Sequence, residues 1–225
     1  NLGAMYFKGE GIAKDEAQAV VWILKAGEQE YANAQNNLGN MYLQGIGVAK
    51  DETQAVAWYR KAAEQGFADA QYNLGVMYAN GTGITKDETQ AVAWYRKAAE
   101  QGYASAQYGL GVVYKDGTGI TKDEARAVVW FRKAAEQGVA YAQSYLGVAY
   151  AKGKGIAKDE AQAVSWYRKA AEQGYAQAQY NLGLAYGKGQ GIAIDETQAV
   201  AWIRKAAEQG YAPAQEALRL LYYRI

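Results

Sequence analysis

KDETQAVAWYRKAAEQG, Lys50 to Gly66, returns unchanged at Lys86 to Gly102. The offset of 36 residues is kept by Trp22, Trp58, Trp94, Trp130, Trp166 and Trp202, which are all the tryptophans of the chain. The Leu-Gly pairs Leu2-Gly3, Leu38-Gly39, Leu74-Gly75, Leu110-Gly111, Leu146-Gly147 and Leu182-Gly183 keep the same step. A fixed period of roughly 20–50 residues marks an array of supersecondary units, each burying its apolar face only against its neighbours. The fold is therefore decided by what one unit becomes.

The unit from Phe67 to Gly102 reads most clearly. Ala70, Leu74, Met77 and Tyr78 fall at i, i+4, i+7 and i+8, which predicts a helix from Asp69 to Asn80 stopped by a left-handed Gly81. The connector Gly81-Thr82-Gly83-Ile84-Thr85-Lys86 supplies two glycines for turning and one aliphatic to pin the loop. Asp87 then suits an N-cap, and Gln90 stands where a capping box would place its reciprocal partner. The same Asp-to-Gln spacing recurs at Asp15, Asp51, Asp159 and Asp195; at Asp123 the reciprocal position is Arg126. The second helix presents Ala91, Trp94, Tyr95, Ala98 and Ala99 on one side and ends at Gly102. Only Tyr103 and Ala104 follow before the next helix, so neighbouring helices are expected antiparallel and in contact. The glycine inside every first helix costs about 1 kcal/mol relative to alanine. Close approach of a tryptophan or of a neighbouring helix backbone is the expected reason.

This gives an all-α solenoid of six 36-residue helix-turn-helix repeats in one domain, over residues 1–30, 31–66, 67–102, 103–138, 139–174 and 175–210, with a C-terminal capping helix over 211–225. The first repeat departs from the pattern at Gly27 and Glu30, where the run KAAEQG reads KAGEQE, and is expected to be the least stable. The terminal segment, with Pro213, Arg219, Tyr222 and Tyr223, reads as a cap whose bulky face stops further stacking.

Twenty-four Lys and Arg against 23 Asp and Glu leave a net charge of +1, with no basic field to draw nucleic acid or an anionic membrane. No apolar run is long enough to span a bilayer. The chain opens inside a repeat, so its true N-terminus is expected to be missing. Without histidine or cysteine it has no thiol nucleophile, histidine base, or thiolate or imidazole metal site. The Asp-Glu pairs such as Asp51-Glu52 and Asp87-Glu88 are explained by helix capping, and the GTGITKD loops lack the Gly-Lys-Ser/Thr ending of a phosphate cradle. No cofactor is expected. The Arg-Lys pairs Arg60-Lys61, Arg96-Lys97, Arg132-Lys133, Arg168-Lys169 and Arg204-Lys205 read as solvated helix ends.

Segments such as AQYNLGVMYANGTGITKDETQAVAWYRKAAEQG resemble the Sel-one-like repeat (SLR), a relative of the tetratricopeptide repeat with a longer loop between its helices. The likeness covers the chain and implies a right-handed α/α superhelix whose first helices line the concave side. It also implies a bacterial adaptor that holds other proteins, with the periplasm or a secreted setting favoured. Cysteine-rich bacterial members carry a disulfide in each repeat; this chain departs from them completely.

Function is then sought in what the repeat framework leaves over. Tyr72, Tyr108, Tyr141, Tyr145 and Tyr180 lie at varying positions of the first helices, together with Asn33, Asn36, Asn37, Asn40, Asn73 and Asn181. Tyrosine supplies contact area at low entropic cost, and asparagine can pair with both the N–H and the C=O of a bound backbone. By analogy these eleven form a partner-binding concave face. A second reading stands beside it: Tyr72, Tyr108 and Tyr180 share one repeat position and would simply pack between first helices. The function expected is a non-catalytic protein-interaction scaffold that binds a protein or peptide segment in the groove. The alternative is a structural spacer that associates with itself end to end and has no groove ligand.

Overall fold

The computed structural model describes residues 2–222 and contains thirteen helices and no strand among them. They are α1 (Leu2–Lys8), α2 (Glu16–Glu28), α3 (Ala32–Gln44), α4 (Glu52–Glu64), α5 (Ala68–Asn80), α6 (Glu88–Glu100), α7 (Ala104–Asp116), α8 (Glu124–Glu136), α9 (Ala140–Lys152), α10 (Glu160–Glu172), α11 (Ala176–Lys188), α12 (Glu196–Glu208) and α13 (Ala212–Tyr222). Odd-numbered helices are the first helices of the repeats and even-numbered ones the second. Tyr223 of the expected cap lies outside the described residues. The chain divides into two compact units, residues 2–109 with 117–121, and residues 110–116 with 122–222.

Helices α3, α5, α7, α9 and α11 bury their leucine completely, at Leu38, Leu74, Leu110, Leu146 and Leu182, whereas Leu2 of α1 is half-buried. The glycine that follows is explained by the residue after each tryptophan rather than by the tryptophan itself. A methyl group on Gly39 would stand 2.5 Å from the Tyr59 ring, and one on Gly75 or Gly111 would stand 2.7 Å from Tyr95 or Phe131. Gly147 faces Tyr167 in the same way, and Gly183 faces Ile203. The 1 kcal/mol lost at the glycine is outweighed because it lets a whole ring be buried, worth about 1.5–3 kcal/mol.

Helices α3, α5, α9 and α11 stop on a left-handed glycine, with φ of 72°, 71°, 67° and 66°. The six cap aspartates accept the N–H three residues on at 2.9–3.0 Å. The reciprocal half of the capping box is not made. The backbone N–H of Asp15, Asp51, Asp87, Asp123, Asp159 and Asp195 donates instead to the carbonyl of Tyr6, Tyr42, Tyr78, Tyr114, Tyr150 and Tyr186, at 2.8–3.2 Å. That bond closes the interhelical loop and leaves the residue three on free of any capping duty. Arg126 is tolerated for this reason.

Two devices join one repeat to the next. The second loop glycine, at Gly47, Gly83, Gly119, Gly155 or Gly191, has φ between 66° and 72° and abuts the carbonyl of Glu16, Glu52, Glu88, Glu124 or Glu160 in the preceding repeat. No side chain fits there. The second device is a glutamine, buried in the second to sixth repeats but exposed at Gln215. Gln35, Gln71, Gln107, Gln143, Gln179 and Gln215 each donate through Nε2 to a carbonyl at the end of the preceding second helix, at 3.0–3.2 Å. The Oε1 atoms of Gln35, Gln71, Gln143 and Gln179 accept from Gln65, Gln101, Gln173 and Gln209 at 2.7–2.8 Å. One amide thus ties three helices and satisfies its own buried polar atoms.

The first repeat differs locally as its sequence suggests. Glu30 takes φ 64° where Gly66, Gly102, Gly138, Gly174 and Gly210 lie between 83° and 91°. Gly27 stands where the other repeats have alanine, and a methyl group there would meet Leu38 Cδ1 at 2.7 Å.

Candidate functional site

The face of the first helices that the framework leaves uncovered follows a helical step. On α3 it consists of Asn33, Asn37, Asn40 and Gln44, all exposed except the half-buried Asn40. The same four positions are Asp69, Asn73, Val76 and Asn80 on α5, Tyr141, Tyr145, Val148 and Lys152 on α9, and Gln177, Asn181, Leu184 and Lys188 on α11.

In the first unit the asparagines engage one another. Asn37 Nδ2 donates to Asn33 Oδ1 at 3.0 Å, and Asn73 Nδ2 donates to Asn36 Oδ1 at 3.0 Å, with Asn36 itself buried. Asn40 Oδ1 accepts the Tyr59 hydroxyl at 2.7 Å. The half-buried Tyr72 sets its ring centroid 5.6 Å from Tyr95 and 5.5 Å from Tyr103. Burial first and nearby Tyr108 second push its phenol up. Tyr108 is half-buried as well. Tyr72 thus packs on a ring of α6 and on a ring of the turn that follows it.

In the second unit Tyr145 lies on Phe131, centroids 4.0 Å apart, and donates its hydroxyl to Glu124 Oε2 at 2.9 Å. Burial, and then that carboxylate, hold its phenol well above the usual range. Tyr141 is 58% exposed and stands 4.8 Å from the Tyr175 ring. Tyr180 is half-buried against Tyr211 at 5.6 Å. Asn181 lines a pocket with Lys152, Tyr167 and Leu184.

Among the described residues, pockets open between consecutive first helices at three junctions, each floored by the second helix that connects them. The one at α1, α2 and α3 holds about 460 Å³ and is lined by Phe7, Ile23, Asn37, Asn40 and Gln44. That at α9, α10 and α11 holds about 240 Å³, and that at α11, α12 and α13 about 780 Å³. The floor residue is the one after the tryptophan: Ile23, Tyr167 and Ile203 respectively. The pocket over the tyrosine floor is the smallest of the three, and those over isoleucine are larger.

These pockets, and the aliphatic column Val112, Val148, Leu184 and Leu220, escaped the sequence reading. Aligning the repeats at a 36-residue step would have shown the column, whose position is Val76 in α5 and departs from aliphatic only at Asn40 in α3.

The Arg-Lys pairs are more than solvated ends. Lys61, Lys97, Lys133, Lys169 and Lys205 place Nζ 4.0–4.2 Å from the ring centre of the tryptophan three residues earlier. Arg60, Arg132 and Arg168 donate to the hydroxyls of Tyr78, Tyr150 and Tyr186 at 2.8–3.0 Å. Lys14, Lys50, Lys86, Lys122 and Lys158 each pair with the glutamate two residues on, at 2.7–3.4 Å. No helix among the described residues is long and apolar enough to cross a membrane.

The Sel1 repeat matches the chain six times, over residues 1–31, 32–67, 68–103, 104–139, 140–175 and 176–211. No curated protein matches it. Among solved structures, a Sel1 repeat protein from Oxalobacter formigenes is 40% identical with a TM-score of 0.86, over 96% of this chain and 85% of that one. A protective antigen present in uropathogenic Escherichia coli strains, with an SLR fold, is 38% identical with a TM-score of 0.75; the match covers all of this chain and 56% of the antigen. An immunity protein from Pseudomonas aeruginosa shares the fold at 22% identity and a TM-score of 0.54, over 92% of this chain and 81% of that one. With six matched repeats and relatives that share both sequence and fold, the chain belongs to the Sel1 repeat family, as an all-α solenoid whose framework is common to that family.

Proposed function

We propose that the chain is a protein-interaction scaffold that holds a segment of another protein along the uncovered face of its first helices. One observation carries this reading. The second helices scarcely change between repeats, α4 and α6 being identical, whereas the uncovered positions of the first helices run from asparagine through tyrosine to aliphatic and lysine. Variation on an exposed face above a constant frame suits a surface matched to a partner. The likeness to Sel1 repeat proteins, which commonly serve as interaction scaffolds, supports it. No catalytic constellation is needed for this work. A bacterial envelope or secreted setting goes with the proposal, prompted by the likeness to an E. coli protective antigen.

The test is affinity capture from envelope and soluble fractions. Wild type is compared with a variant carrying Asn37→Ala, Tyr141→Ala and Asn181→Ala, whose circular dichroism and unfolding midpoint should stay close to wild type. A protein retained by wild type and lost from the folded variant is the expected result. Identical retention by both, or retention of nothing but further copies of the chain, would instead favour the self-associating spacer, which the near-identity of the second helices suits.

A further inference from the structure

The pocket between α11, α12 and α13 differs from its counterpart one repeat earlier in four ways. Tyr167 of the floor becomes Ile203, Ala151 becomes Gly187, and Asn181 of the wall becomes Ala217. The fourth change is electrostatic. Lys158, on the rim of the earlier pocket, pairs with Glu160 at 2.7 Å, as its equivalents do in the four preceding repeats. Here the lysine position is Ile194, 65% exposed, and among the described residues Glu196 forms no ion pair. Lys188 lines the same pocket, but among the described residues it forms no ion pair with Glu196. The result is about 780 Å³ of space walled by Leu184, Ala199, Val200, Ile203, Ala217 and Leu220, with a carboxylate at its edge from which the chain has withdrawn its own ammonium group.

We propose that this pocket seats a large apolar side chain of a partner peptide whose adjacent lysine or arginine pairs with Glu196. The inference rests on the scaffold reading and specifies its chemistry at one junction. The volume and the exposed Leu220 supply the apolar half of the recognition. Charge complementarity supplies the other half, because a ligand cation would occupy the place that the chain's own lysine fills in five other repeats.

Two capped hexapeptides serve as probes, Ser-Gly-Trp-Lys-Gly-Ser and Ser-Gly-Trp-Glu-Gly-Ser, with binding followed by methyl NMR on the full chain. Saturable shifts at Ile203, Leu184 and Leu220 are expected with the Trp-Lys peptide, and affinity about threefold or more weaker with Trp-Glu, the scale of an exposed ion pair. Ile203→Tyr and Ile194→Lys restore residues the chain uses at the same positions elsewhere, so both variants should fold. The first should weaken Trp-Lys binding about tenfold by filling the pocket. The second should abolish the preference for lysine over glutamate. Equal affinity for the two peptides, or undiminished binding to folded Ile203→Tyr, overturns the proposal. Nuclear Overhauser contacts from the Ile203 methyls to residues 223–225 would also overturn it, by assigning the pocket to the chain's own terminus. Capture of a cellular partner that survives Ile203→Tyr overturns the pocket while leaving the scaffold reading intact.

Discussion

The uncovered faces of α3 and α9 sit on the same framework and share almost no chemistry. On α3, Asn33, Asn37, Asn40 and Gln44 offer amide donors and acceptors and no charge; on α9, Tyr141, Tyr145, Val148 and Lys152 offer rings, an aliphatic group and an ammonium. Beneath both, a tyrosine following the tryptophan rests on the first-helix glycine, Tyr59 on Gly39 and Tyr167 on Gly147. Tyr59 finds Asn40 for its hydroxyl, but the position corresponding to Asn40 is Val148 for Tyr167. The repeat therefore separates two jobs. Buried positions set the geometry and change little, apart from the residue after the tryptophan, and the uncovered positions set the chemistry and are free to change.

Replacing either ring should show the constant part most strongly. Tyr59→Ala and Tyr167→Ala should each lose about 3–5 kcal/mol in urea unfolding, and by similar amounts. Markedly unequal losses would mean that the two frameworks are not equivalent. Next in size is the second loop glycine, where Gly47→Ala and Gly155→Ala should each cost about 3 kcal/mol from left-handed backbone strain and collision with the neighbouring carbonyl. Tyr59→Phe and Tyr167→Phe sharpen the contrast. The first should lose about 1 kcal/mol with its bond to Asn40, and the second should be near neutral. Glu30→Gly should gain about 1 kcal/mol by relieving a left-handed non-glycine residue, with increased hydrogen-exchange protection confined to the first repeat.

A further effect, from the buried phenols, shows only at alkaline pH. Burial raises the phenols of Tyr59, Tyr95 and Tyr167 to about 12, with Tyr72 adding to the shift at Tyr95. A folded-state pKa above the unfolded value of 10 means stability fully present below about pH 10 and lost as pH rises through about 12. Unfolding midpoints that hold level across that window would contradict the burial of these rings.

The period was legible in the sequence because its framework tolerates so little change: the tryptophans, the Leu-Gly pairs and the cap aspartates each have one geometry to serve. The loop bond from the aspartate N–H to the first-helix tyrosine carbonyl was not legible. It joins two backbone groups nine residues apart and leaves no mark in side-chain choice. The glutamine tie was visible as a recurrent residue at Gln35, Gln71 and their equivalents, but a polar residue inside an apolar stripe does not announce which carbonyl it reaches. The candidate face was half legible. Varying positions could be picked out one by one, yet whether Tyr72 pointed outward or packed on Tyr95 and Tyr103 depended on neighbours a repeat away. The pockets needed the columns read across repeats, because their size turns on single residues such as Ile203.

The buried glutamine also bears on how such a chain changes length over generations. Every partner of Gln71 is a backbone carbonyl or an amide that recurs one repeat along, so removing or inserting 36 residues in register rejoins Gln71-type donors to Ala63-type acceptors without creating a new interface. Unequal crossing-over between the near-identical gene segments for α4 and α6 would yield a foldable product at once. Repeat number can thus drift as a heritable variable, and with it the number and order of surface chemistries displayed to a partner.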